Sequence, residues 1–178
     1  DELVGLKRAR PDELATMFED LTGFVWKTDL SAISGGDIGV VELPRDSILG
    51  YRVIGGGIDS AYVTRSGFTD NGTTSLFLRG FAEEAAAWVV EKDLVNTDAA
   101  GRKLLSGIDE STTDEGTVRE QIVWLHARIL GELVEADSDE VTASLSLWQG
   151  ALESSGDVKR AWKTLLVAMM QDVRVAYY

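Results

Sequence analysis

Apolar residues recur every three or four positions over much of this chain, the spacing that lines up one face of a helix. Over residues 11–21 the stripe is Leu14, Met17, Phe18 and Leu21. Pro11 stands at the first helical position, Asp12 and Glu13 complement the helix dipole, and Gly23 is placed to end the helix. Thr74 or Ser75 opens a second helix running to about Val90, with Phe77, Phe81, Ala85 and Trp88 on one face. A brief helical turn is expected over 98–105. Val118, Ile122, Leu125, Ile129 and Leu133 place a long helix over 114–134. Asp137 with Glu140 forms a capping-box pattern that opens a helix carrying Val141, Leu145, Trp148 and Leu152. After Gly156-Asp157 a last helix presents Val158, Trp162, Leu165, Met169 and Val173. The short links between these last three predict a three-helix unit over 114–176.

Between 35 and 72 the helical pattern fails. That stretch holds half of the chain's 18 glycines, and Pro44. Glycine at this density disfavours helix, so loops and short strands are expected at Ile38–Leu43, Tyr51–Ile54 and Ala61–Thr64. The fold class is therefore mainly α: a bundle of about five helices with a Gly-rich, short-strand insertion near 35–72. At 178 residues the chain is read as one domain, 1–178.

Charge narrows the choice of partner. Against 17 basic residues stand 30 acidic ones, a formal net charge of −13. Such a field repels nucleic acid and anionic lipid and favours basic partners. No apolar run reaches the ~20 residues that span a bilayer. With no cysteine there is no disulfide, thiolate nucleophile or cysteine-linked haem. The chain opens on Asp1, which reads as a processed form.

Candidate chemistry is sparse. His126 is the sole histidine and lies at the edge of its helix stripe; a metal ligand, haem ligand or general base is set against an ordinary packed histidine. Met169 and Met170, formally able to ligate haem, sit on an apolar face where methionine fills gaps. Gly55, Gly56 and Gly57, followed by Asp59, make the most distinctive string. Such a cluster either turns its amides toward an anion or marks a crossing too tight for side chains, and no nucleotide-loop template fits it. Asp70-Asn71-Gly72-Thr73 reads as a turn capping the next helix, since it lacks the alternating acids of a calcium loop. No Gly-x-Ser-x-Gly elbow occurs. Trp124 falls off its stripe, and Tyr177 and Tyr178 close the chain; all three are candidates for contact with a partner.

Three strings together carry a resemblance: Gly50–Asp59 (GYRVIGGGID), Trp124–Glu132 (WLHARILGE) and Met170–Tyr178 (MQDVRVAYY). They resemble a family of exported bacterial proteins of uncharacterised activity, some of which carry c-type cytochrome domains. The resemblance covers roughly residues 45–178. It implies export to the periplasm or cell surface and an accessory role beside redox or cytochrome-containing proteins. This chain lacks a haem-attachment motif and is not itself the cytochrome part.

The expected function is a non-catalytic structural or protein-interaction subunit of a larger exported assembly, needing no cofactor and no metal. The alternative is a small-ligand or cofactor-binding module using His126 or the Gly55–Asp59 loop.

Overall fold

Helices form where the apolar stripes lie, and they end where an aspartate or a left-handed glycine takes over the backbone hydrogen bonding. The computed structural model describes residues 7–59, 61–67 and 71–177. Among them are seven α-helices and one two-stranded sheet, a mainly helical chain. The described residues divide into two compact units, one running to Phe81 together with Ala176 and Tyr177, the other spanning Ala82–Val175.

The first unit begins with α1 (Pro11–Thr22), entered through Arg10, whose backbone N–H donates to Glu13 Oε2 at 2.8 Å. Gly23, at φ 75°, ends it. Strand β1 (Lys27–Asp29) pairs antiparallel with β2 (Val40–Glu42), with the short α2 (Ser31–Ser34) between them. The N-terminal part of α3 (Gly72–Asp93) supplies Phe77 and Phe81 to the core. Phe81 stacks on Phe18 of α1, ring centroids 4.4 Å apart. The unit is closed by a bridge between Arg8 and Tyr177, with Ala9 N–H donating to Ala176 C=O at 2.7 Å.

Of the three expected strands only Val40–Glu42 forms, and β1 was not anticipated. Tyr51–Ile54 and Ala61–Thr64 are turns and bends. The reason is local. Asp46 Oδ1 accepts the N–H groups of Ile48, Leu49 and Gly50, and Asp59 Oδ1 those of Ala61, Tyr62 and Val63. With these amides held by aspartate, and with Tyr51 N–H donating to Leu43 C=O and Arg52 N–H to Asp46 C=O, both segments are drawn into turns.

In the second unit α3 continues through buried Ala82, Ala85, Ala86, Val89 and Val90 to Asp93. A 3₁₀ turn (Ala99–Gly101) follows, capped by Asp98. Next come α4 (Glu115–Leu125), a π-helical turn (His126–Leu130), α5 (Asp139–Ser155), α6 (Val158–Met170) and α7 (Val173–Ala176). Helix α4 packs on α5 and α5 on α6. Trp148 of α5 meets Trp162 of α6 with ring centroids 5.5 Å apart. Buried Gln121 joins the 104–107 loop to α4, donating to Leu104 C=O and accepting from Gly107 N–H, each at 2.9 Å.

Several expected ends and caps move. Asn71 caps α3, its Oδ1 accepting from the N–H groups of Thr73 and Thr74 while its N–H donates to Thr74 Oγ1. Ser138, not Asp137, caps α5, its hydroxyl accepting from Val141 N–H. The helix expected to reach 134 ends at Gly131, φ 69°, after the π turn has shifted its phase. Ile129 is therefore half-buried and Leu133 is 96% exposed. Helix α6 stops at Met170 because Asp172 accepts from Arg174 N–H and starts a new turn, leaving Val173 exposed. Trp88, expected in the core, is 36% exposed and lies under Lys92 Nζ, 4.8 Å from the ring centre; Val89 takes the buried place.

The least replaceable polar group in this unit is Asp93. Its buried carboxylate accepts from the amides of Lys103, Leu104 and Leu105 at 3.0, 2.7 and 2.9 Å. Substituting Asp93→Ala strands three amides, two of them buried, and is expected to cost roughly 3 kcal/mol. Urea unfolding followed by circular dichroism checks this as a lowered midpoint.

Candidate functional site

In the first unit, the turn from α1 into β1 brings Trp26 over the N-terminal part of α3. Its ring lies 6.0 Å from that of Phe77 and 5.3 Å from that of Phe81, and Tyr51 meets it edge-on at 5.1 Å. Gly80 permits the approach, because a Cβ there would sit 3.1 Å from Trp26 Cη2. Ile54, Leu76 and Thr73 complete the lining of an open groove of about 360 Å³. Leu76 is 67% and Ile54 49% exposed, an unusual cost for large apolar side chains at the lip of an already aromatic surface.

The glycine string lies in the same unit. Its three amides donate inside the loop: Gly55 to Tyr51 C=O, Gly56 to Val53 C=O and Gly57 to Arg52 C=O, at 2.8, 3.0 and 2.7 Å. None points at open space as an anion cradle requires. Each glycine instead marks a contact too close for a side chain. A Cβ on Gly55 would lie 2.7 Å from Pro11, on Gly56 2.8 Å from Gly67 C=O, and on Gly57 2.7 Å from Arg52 C=O. Buried Arg8 donates to Gly55 C=O at 2.9 Å and fastens the loop to the N-terminal segment. Val63 and Ala61 amides, foremost among its partners, hold the Asp59 carboxyl below the usual carboxylate range.

His126 lies in the second unit, where it opens the π turn and is 3% exposed. Its Nε2 is 3.1 Å from Ser144 Oγ on α5, and its Nδ1 is 3.6 Å from Glu132 Oε2. Nδ1 and that carboxylate oxygen are both buried and lack a hydrogen-bond partner. Glu132 also pairs through Oε1 with Arg174, whose Nε and Nη2 donate to Asp172 at 2.7 Å each. Serine, imidazole and carboxylate thus follow in the order of a nucleophilic relay. Ser144 lies beyond the first turn of α5, so its own backbone N–H and those of its chain neighbours are engaged within the helix and do not form an oxyanion hole. Among the described residues no cluster of three or more His, Asp or Glu is arranged to hold a metal ion.

Sequence spacing had no way to assemble this cluster, since Ser144 and Arg174 lie one and several elements away from His126. The one local signal was Asp172-x-Arg174. Of the contact candidates, Trp124 is 38% exposed on α4, Tyr177 is half-buried in its bridge with Arg8, and Tyr178 lies outside the described residues.

Compared with protein-family models, curated proteins and solved structures, the chain matches none. Its reading therefore rests on its own residues.

Two substitutions test the geometry. Gly56→Ala, at φ 96° and against Gly67 C=O, is expected to lower the thermal midpoint by several degrees, about 1–3 kcal/mol of strain. For the Asp172–Arg174 pair, the Arg174 hydrogen bonds hold the Asp172 carboxyl below its ordinary value. Its folded form binds a proton less readily than its unfolded form. The stabilisation is thus complete above the unfolded value of about 4 and is lost as pH falls below it. Thermal melts between about pH 7 and pH 3 should show a smaller acid-induced drop for Asp172→Asn than for the unaltered protein.

Proposed function

We propose that this chain is a non-catalytic structural or protein-interaction subunit, with the aromatic groove of its first unit receiving apolar side chains from a partner. The observation that carries the reading is the groove itself. Trp26, Tyr51 and Phe77 form packed walls, and Leu76 and Ile54 stand largely in solvent at its edge. Aromatic residues around an apolar pocket are the usual anchors of protein interfaces, and isolated exposed leucines are not. The relay order around His126 carries less weight, because the helix engages the backbone amides beside Ser144. Membership of a larger exported assembly, with redox or cytochrome-containing companions, rests on the resemblance of the three strings alone.

A second reading is favoured by one quantity. The groove's 360 Å³ falls within the roughly 300–1,000 Å³ of small-molecule sites, so an apolar ligand of modest size also fits.

Native mass spectrometry of the protein taken gently from its source separates the two. A subunit appears well above 19.3 kDa in company, and a ligand carrier appears as a monomer with a small added mass. Leu76→Asp, one turn into α3 where an added acid suits the helix dipole, should leave the fold intact and reduce the bound fraction about tenfold. A bare monomer without added mass would sink the subunit reading. Retention of the partner by Leu76→Asp would remove the groove from it.

A further inference from the structure

The sheet of the first unit has a second surface, distinct from the groove. In its register Lys27 faces Glu42, Thr28 faces Val41 and Asp29 faces Val40. The flanking bonds, Leu30 N–H to Gly39 C=O and Leu43 N–H to Trp26 C=O, fix which pairs exchange hydrogen bonds. Residues in an antiparallel ladder alternate between facing the partner strand and facing away. Val41 therefore bonds to Thr28, while the N–H and C=O of Val40 and the N–H of Glu42 point outward from β1. None of these three groups meets a hydrogen-bonding partner among the described residues. The Glu42 carbonyl is different, accepting from the amides of Arg45 and Asp46, and it closes the edge at that end.

Beside this edge runs a depression of about 430 Å³ whose walls include Ile38, Val40 and Leu49. Val40 is 63% exposed, and Ile48, next to Leu49, is more so. The charged groups lining it are Glu42, Asp46 and Arg45, and Asp37 adjoins Ile38 in the chain. Arg45 is already paired with Glu42 at 2.7 Å and with Glu19 at 3.3 Å, so negative charge prevails.

We infer that the outer edge of β2 takes up an extended apolar segment of a partner protein, flanked by lysine or arginine, as a third strand of the sheet. The free backbone groups specify an extended chain, the valine and leucine walls specify apolar side chains, and the surplus acid specifies the basic flanks. This deepens the interaction-subunit reading and rests on it. The three-residue length of β2 limits the ladder to a few bonds, so other contacts, such as those in the groove, supply the remaining affinity.

The test uses the full chain and a synthetic peptide of valines alternating with threonines between terminal lysines. A matched peptide with its central amides N-methylated has the same side chains but cannot form the ladder. Fluorescence anisotropy is expected to show saturable binding of the first peptide and at least about tenfold weaker binding of the second. Val40→Pro removes an outward N–H and spares the bonds to β1, and should weaken the first peptide by about the same factor. Amide exchange at Val40 and Glu42 should slow when the peptide is bound. Equal binding of both peptides, indifference to Val40→Pro, or no saturable binding would overturn strand addition. So would a dimer of the chain abolished by Val40→Pro, which would make the occupant a second copy. If the partner found by native mass spectrometry survives Val40→Pro, strand addition fails and the subunit reading stands. A bare monomer there removes the subunit reading, whatever the peptide does.

Discussion

A folded backbone must find an acceptor for each N–H group it takes away from water, and outside its helices this chain finds many of them on aspartate. Asp46 and Asp59 each gather three consecutive amides into a turn, and buried Asp93 gathers three from a loop ten or more residues away. At the starts of helical elements Asp98 and Asp157 each accept one backbone amide and Asp114 accepts two. Much of the acidic excess is therefore architectural: it folds the loops that helical periodicity leaves undefined. Backbone or hydroxyl donors hold Asp46, Asp59, Asp109 and Asp114 below the usual carboxylate range. The stability these four carboxylates add is complete above about pH 4 and is lost as acid protonates them.

The same constraint explains where sequence reasoning works. The helices are visible because a 3.6-residue stripe repeats over many positions, and α1, α3, α5 and α6 carry the apolar residues expected of them, with the ends displaced. The glycine-rich stretch is visible as non-helical, but not as turns. Tyr51–Ile54 and Ala61–Thr64 have the composition of strands, but the amides of Tyr51 and Arg52 turn to the Leu43 and Asp46 carbonyls, and those of Ala61, Tyr62 and Val63 to the Asp59 carboxylate. The π turn is similarly hidden, because one altered turn at His126 leaves the composition unchanged while rotating Leu133 out of the core.

The sites divide along the same line. That Gly55–Gly57 is distinctive could be read directly; that its amides are already engaged could not, since their acceptors are set by three-dimensional turns. Trp26 gave no signal at all. It sits outside every helical stripe, and its importance comes from Gly80, 54 positions later, which leaves room for its ring. His126 was conspicuous for being alone, yet the groups around it come from a later loop, α5 and the segment after α6. Pairwise chemistry of this kind is a property of packing, and one sequence carries no record of which residues meet.

The antiparallel pairing of Arg8 and Ala9 with Ala176 and Tyr177 has a mechanical consequence. Two antiparallel strands that leave a structure at the same edge leave it in the same direction. The backbone entering Arg8 and the backbone leaving Tyr177 are therefore neighbours, as the two legs of a loop are. Tension applied by separating those legs would load the Arg8–Tyr177 pair first and the Ala9–Ala176 hydrogen bond next, opening the bridge by peeling, with no shear across it. The loop anchored by Arg8 on Gly55 would be the next element to feel the load.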